Sequence, residues 1–86
     1  MPRVVLARRA RKGFDEAPAR VHRAIEDAID ALELGAVTGE RLRGGLASLF
    51  RIRVDDWRIL YERRPDGALR ILRIAHRSHA YRSDPR

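Results

Sequence analysis

At 86 residues and without a cysteine, the chain is sized for one small domain and excludes a disulfide framework or a thiolate metal site. A domain of this size buries only about 60–65% of the surface its unfolded form exposes, so its own stability is modest and a partner can add to it. There are 19 basic and 12 acidic side chains, +7 net; residues 1–40 hold seven of each, whereas residues 41–86 hold twelve basic against five acidic. So one-sided a distribution is the footprint of a phosphate-binding surface or of an acidic protein partner, and solubility alone does not require it.

Residues 2–6 read as a short first strand with Val4, Val5 and Leu6 as its apolar content. The apolar run of residues 4–7 ends in charge, too short for a signal-peptide core or a membrane span, so a cytoplasmic protein without membrane contact is expected. From Ala7 the texture turns helical: in ARRARKGFDEA, Ala10 and Phe14 stand one turn apart with arginines on the other side, although Gly13 weakens the pattern. Pro18 suits the first turn of a second helix, where Val21, Ile25, Ala28 with Ile29, and Leu32 repeat as one buried stripe. Its acids Glu26, Asp27, Asp30 and Glu33 lie off that stripe, His22 reads as a surface residue, and Gly35 is placed to end the helix. Residues 35–48 read as a connection anchored by Leu42 and Leu46, with Gly44-Gly45 a turn more readily than a phosphate cradle.

The stretch LFRIRVDDWRILYE, residues 49–62, carries most of the information. Phe50, Ile52 and Val54 alternate with Arg51 and Arg53, so a strand here has one apolar face and one face bearing two guanidinium groups. After Asp55-Asp56 the pattern restarts as Trp57-Arg58-Ile59-Leu60-Tyr61, the return strand of a hairpin that brings a third arginine beside the first two. Trp57 and Tyr61 read as core or sheet-edge aromatics. Arg64-Pro65-Asp66-Gly67 is a turn signal, and residues 68–75 form a third strand in which Leu69, Ile71, Leu72 and Ile74 are apolar on both faces. A central place in the sheet, or a bulge, explains that doubling. The end, HRSHAYR, sets protonatable and aromatic groups beside the strand end. No internal repeat and no metal-ligand spacing is visible, and no cofactor is implied.

The order is a short N-terminal strand, two helices, then a three-strand antiparallel meander, which argues for an α+β fold with the helices on one face of the sheet. Arg51, Arg53 and Arg58 belong on the opposite, open face, because guanidinium groups are costly to bury under helices without partners.

The run Leu42-Arg43-Gly44, then Leu49-Phe50-Arg51-Ile52-Arg53-Val54-Asp55-Asp56-Trp57-Arg58-Ile59-Leu60-Tyr61, and finally Ile74-Ala75-His76-Arg77-Ser78-His79-Ala80-Tyr81, resembles the RelE/ParE superfamily of bacterial and archaeal toxins. The likeness is to the RelE branch, as one RelE-like domain in residues 1–82 with a short tail in 83–86. Members of that branch are metal-independent, ribosome-dependent endoribonucleases that cut messenger RNA in the decoding site and are held inactive by a cognate antitoxin. The resemblance implies the same here, with the ribosome, its message and its ribosomal RNA as partners. It implies catalytic roles for Arg58, Arg77, Tyr81 and His79, and RNA contacts for Arg51, Arg53 and Arg43. The basic face and small core add that the antitoxin is acidic and neutralises these arginines.

RNA is cleaved when its own 2′-hydroxyl attacks the adjacent phosphate, which needs a base for that hydroxyl, cations for the charge on phosphorus and an acid for the departing 5′-oxygen. Arginine forks suit the middle task, since they grip two phosphate oxygens and stay charged. Arg58 and Arg77 are assigned to it, with Arg77 nearest the departing oxygen. Arg51 and Arg53 stand where the family often has lysines, and an arginine does not become a base as a lysine can. That leaves His79 and His76, which flank Arg77, as candidate bases. The duller readings are that Arg51 and Arg53 are solvated outward positions and that His76 is a satisfied strand-end histidine. The alternative within the superfamily is a ParE-like toxin that inhibits DNA gyrase by binding, without nuclease activity.

Overall fold

The computed structural model describes residues 3–42 and 49–78. In chain order it has β1 (Val4–Leu6), α1 (Arg8–Glu16), α2 (Ala19–Glu33), β2 (Glu40–Arg41), β3 (Leu49–Val54), β4 (Trp57–Arg63) and β5 (Leu69–His76). The described strands form one sheet ordered β1-β5-β4-β3-β2, in which β1 runs parallel to β5 and all other neighbours are antiparallel. The expected α+β architecture and its antiparallel meander are both present, as β3, β4 and β5.

Local chemistry sets the meander. Val54 pairs with Trp57, so Asp55 and Asp56 alone make the turn, with Asp55 at φ 54°, a left-handed conformation that aspartate tolerates better than most residues. Between β4 and β5 the turn closes through the Gly67 N–H to the Arg64 carbonyl at 2.9 Å, and Asp66 Oδ1 accepts the Ala68 N–H at 2.9 Å. Both explanations for the double-sided β5 hold. The strand lies between β1 and β4, and its register slips so that Leu60 faces Arg73 while Tyr61 faces Ile71, leaving Leu72 over.

The helices cover one face. From α2 come Val21, Ile25 and Leu32, from α1 Ala10, and they meet Val54, Ile59, Tyr61, Leu69, Ile71 and Ile74 in the core. Gly35 ends α2 as its sequence predicts, at φ 73°, with the Gly35 N–H on the Leu32 carbonyl and the Ala36 N–H on the Ala31 carbonyl. His22 departs from expectation. It is half-buried, stacked on Phe14 at 4.4 Å, and its Nε2 donates to the Phe14 carbonyl at 2.8 Å, a second donor to a carbonyl that also accepts the Ala17 N–H at the end of α1.

The connection after α2 contains a strand that the sequence does not announce. The Gly39 N–H donates to Tyr61 Oη at 2.8 Å, and a Cβ on Gly39 would meet that same phenol at 2.8 Å. This contact seats β2 on the edge of β3, with Glu40 opposite Arg51 and Arg41 opposite Phe50. Leu42 follows, its N–H on the Leu49 carbonyl at 2.9 Å. Leu46, the Gly44-Gly45 pair, Arg43, His79 and Tyr81 lie outside the described residues.

Candidate functional site

Alternation along β3 turns Phe50, Ile52 and Val54 toward the helices and therefore turns Arg51 and Arg53 away from them. On β4 the same rule sends Ile59 and Tyr61 inward and Arg58 outward. Arg53 and Arg58 are direct cross-strand partners, and Ala75 is the partner of Arg58 on β5. Arg77 follows the end of β5, where its N–H donates to the Asp56 carbonyl at 2.6 Å and ties it to the hairpin turn. As a result Arg51, Arg53, Arg58 and Arg77 line one shallow cleft of about 360 Å³, together with His76 and Ser78.

The four guanidinium groups are not equally available. Arg51 is bonded to Glu40 of β2 and its side chain is only 17% exposed. Arg53 is 62% exposed, with the same carboxylate 4.0 Å away. Arg58 Nη1 donates to the carbonyls of Asp55 and Trp57, both at 2.9 Å, so the hairpin turn holds the group in place without neutralising it. Arg77 is 64% exposed and its Nε lies 3.5 Å from Asp56 Oδ1. The arginine-bearing face is also less open than its sequence predicts, since Leu60 and Ala75 on it are buried. Glu40 holds a depressed pKa, chiefly because Arg51 donates a hydrogen bond and places its charge beside the carboxyl, with Arg53 adding a smaller effect against partial desolvation.

His76 sits between the cleft and the helix-covered face. Its ring meets Trp57 edge-on at 5.9 Å. Nδ1 accepts the Ser78 N–H at 3.2 Å and lies 2.9 Å from Ser78 Oγ. A backbone N–H can only donate, so the neutral ring carries its proton on Nε2. Among the described residues no three His, Asp or Glu side chains gather as a metal site requires. Two participants escape a reading of the sequence. Ser78 passes as an ordinary polar residue, and Glu40 is marked only by being the lone acid between Glu33 and Asp55.

Comparison with known proteins fits this geometry. A family model, the ParE toxin of type II toxin–antitoxin system, parDE, matches residues 4–81. No curated protein sequence matches the chain. Among solved structures, it is similar to a chain of the RelBE2 toxin–antitoxin complex from Mycobacterium tuberculosis, 28% identical with a TM-score of 0.74 over 88% of this chain and 99% of that one. It is likewise similar to a chain of the archaeal RelE–RelB complex from Pyrococcus horikoshii OT3, at 25% identity and TM-score 0.74 over 92% and 98% of the two chains. The isolated RelE toxin of E. coli, at 18% identity and TM-score 0.71 over 95% and 93%, shares the fold. Among the described residues no helix is long and apolar enough to cross a membrane. With a family model spanning almost its whole length and a RelE-like fold beneath it, the chain belongs to the RelE/ParE superfamily, as a toxin of a type II toxin–antitoxin system.

Proposed function

We propose that the protein is a ribosome-dependent, metal-independent endoribonuclease that cuts messenger RNA in the decoding site, in the cytoplasm, by attack of a 2′-hydroxyl on the adjacent phosphate. The observation that carries this reading is the direct opposition of Arg53 and Arg58 across β3 and β4, with Arg77 fixed beside them by the hairpin turn. Like charges set opposite one another destabilise a sheet, so their placement together in one cleft fits an anion that binds there. Arg58 and Arg77 take up charge on phosphorus, and Arg51 and Arg53 bind the flanking backbone, joined by Arg43. Proton transfer falls to His79 and Tyr81. His76, whose Nδ1 accepts the Ser78 N–H and whose neutral ring carries its proton on Nε2, offers a hydrogen-bond donor to an oxygen rather than a base for the 2′-hydroxyl. The ribosome supplies the orientation that brings the 2′-oxygen into line.

A second reading is a ParE-like toxin that inhibits DNA gyrase by binding. The matching family model and the partnering of Arg51 by Glu40 and Arg77 by Asp56 favour it. Mapping message ends during translation in vitro separates the two. The nuclease is expected to leave 2′,3′-cyclic phosphates on messages, while intact messages with loss of gyrase supercoiling would decide for the binder. Under either reading the partner is a cognate antitoxin, and an acidic segment laid over the arginine cleft neutralises it.

A further inference from the structure

A second cleft of about 300 Å³ lies on the other side of His76, between α1 and the far half of β5. β1 ends at Leu6, and beyond Ile71 that edge of β5 is covered by α1, whose Gly13 comes so close to the strand that a Cβ would lie 3.0 Å from the Ile74 carbonyl carbon. Among the described residues that line it, Arg9, Lys12 and Arg73 supply cations, Trp57 and His76 supply aromatic rings, and Glu16 is the one acid. His76 borders both clefts, so this one continues the arginine cleft around the end of β5.

Helix α1 opposes its own dipole. Arg8, Arg9, Arg11 and Lys12 crowd its positive end, Asp15 and Glu16 its negative end, with no acid in the first turn and no base in the last. A local rule broken at both ends of one helix, beside a cleft, is expected where a ligand compensates. Cations around an aromatic platform bind single-stranded nucleic acid. The cleft lies at the small end of ligand pockets, about 300–1,000 Å³, and suits one nucleotide where a peptide helix about 10–12 Å across does not fit.

We infer that this cleft is a second site for single-stranded RNA, in which Trp57 stacks a base while Arg9, Lys12 and Arg73 hold the phosphates on either side of it. The inference deepens the nuclease reading and rests on RNA being the ligand. Trp57 is the only tryptophan, so its fluorescence reports occupancy directly. Titrating a short oligouridine into the toxin is expected to quench Trp57. The Arg9→Ala, Lys12→Ala variant, whose helix gains propensity and whose fold is checked by circular dichroism, is expected to bind on the order of tenfold more weakly. Its slope of log affinity against log salt should be smaller by about 1.4, roughly 0.7 per lost phosphate contact. Quenching by the free oligonucleotide assigns the site to the message, whereas quenching that needs protein-free small-subunit ribosomal RNA assigns it to ribosomal RNA; either supports the site. No quenching by either, an unchanged affinity and slope in the variant, or stronger binding of polyglutamate than of RNA would overturn it. In Arg58→Ala, Arg77→Ala the quenching should survive while message cutting is lost. A wild type that quenches without cutting would sink the nuclease reading alone.

Discussion

Glu40 occupies the position on the basic face where an incoming phosphate would compete. Its carboxylate accepts from Arg51 and lies near Arg53, so its proton is held less tightly in the folded protein than in the unfolded chain. A carboxyl with a depressed folded pKa adds stability that is complete above its unfolded value, about 4.3, and fades as pH falls through the folded one. In Glu40→Gln, urea midpoints measured from pH 6 down to pH 2 should therefore lose less on acidification than those of the wild type. The group is exposed, so the difference is small. The same variant should bind RNA more tightly, by roughly two- to fivefold, because one competing anion is gone. An unchanged midpoint profile and unchanged affinity would reduce the pair to a surface contact. Arg51, Arg53 and Arg58 were legible from alternation, and Arg77, beyond the end of β5, only through the family resemblance. Glu40 was not, because its partnership depends on a two-residue strand seated by Gly39 on the phenol of Tyr61, a contact 22 residues apart in sequence.

Among the elements, α1 shows how tertiary packing overrides propensity. Gly13 weakens the helix by about 1 kcal/mol relative to alanine, and on that ground alone Gly13→Ala should stabilise the protein. The glycine lies against the Ile74 carbonyl, where a methyl group has no room. Overpacking of this kind typically costs about 1–3 kcal/mol, so the net effect of Gly13→Ala is expected to be destabilising, as a lower denaturation midpoint. A raised midpoint would show that α1 shifts freely on β5. The stripe on α2, the hairpin of β3 and β4, and the turn at Gly67 could be read beforehand because each is set by residues a few positions apart. The parallel pairing of β1 with β5 joins Val4 to Leu69, and no local pattern encodes it.

At the scale of the molecule, the excess of positive charge in residues 41–86 corresponds to a place. Four of those arginines, from β3, β4 and the end of β5, line a single cleft on the face away from the helices. Two carboxylates, Glu40 and Asp56, already offset part of that charge, which composition could not reveal. The basic half of α1 then extends the positive surface around His76, although residues 1–40 are balanced as a whole. The central claim is that this cleft acts on the phosphate backbone of a message, and the most direct measurement is the rate at which ribosome-bound message is cut by wild type and by Arg58→Ala. Loss of one donor to the developing charge is expected to slow cutting on the order of 100-fold or more, with ribosome binding retained. Equal rates for the two proteins would contradict it.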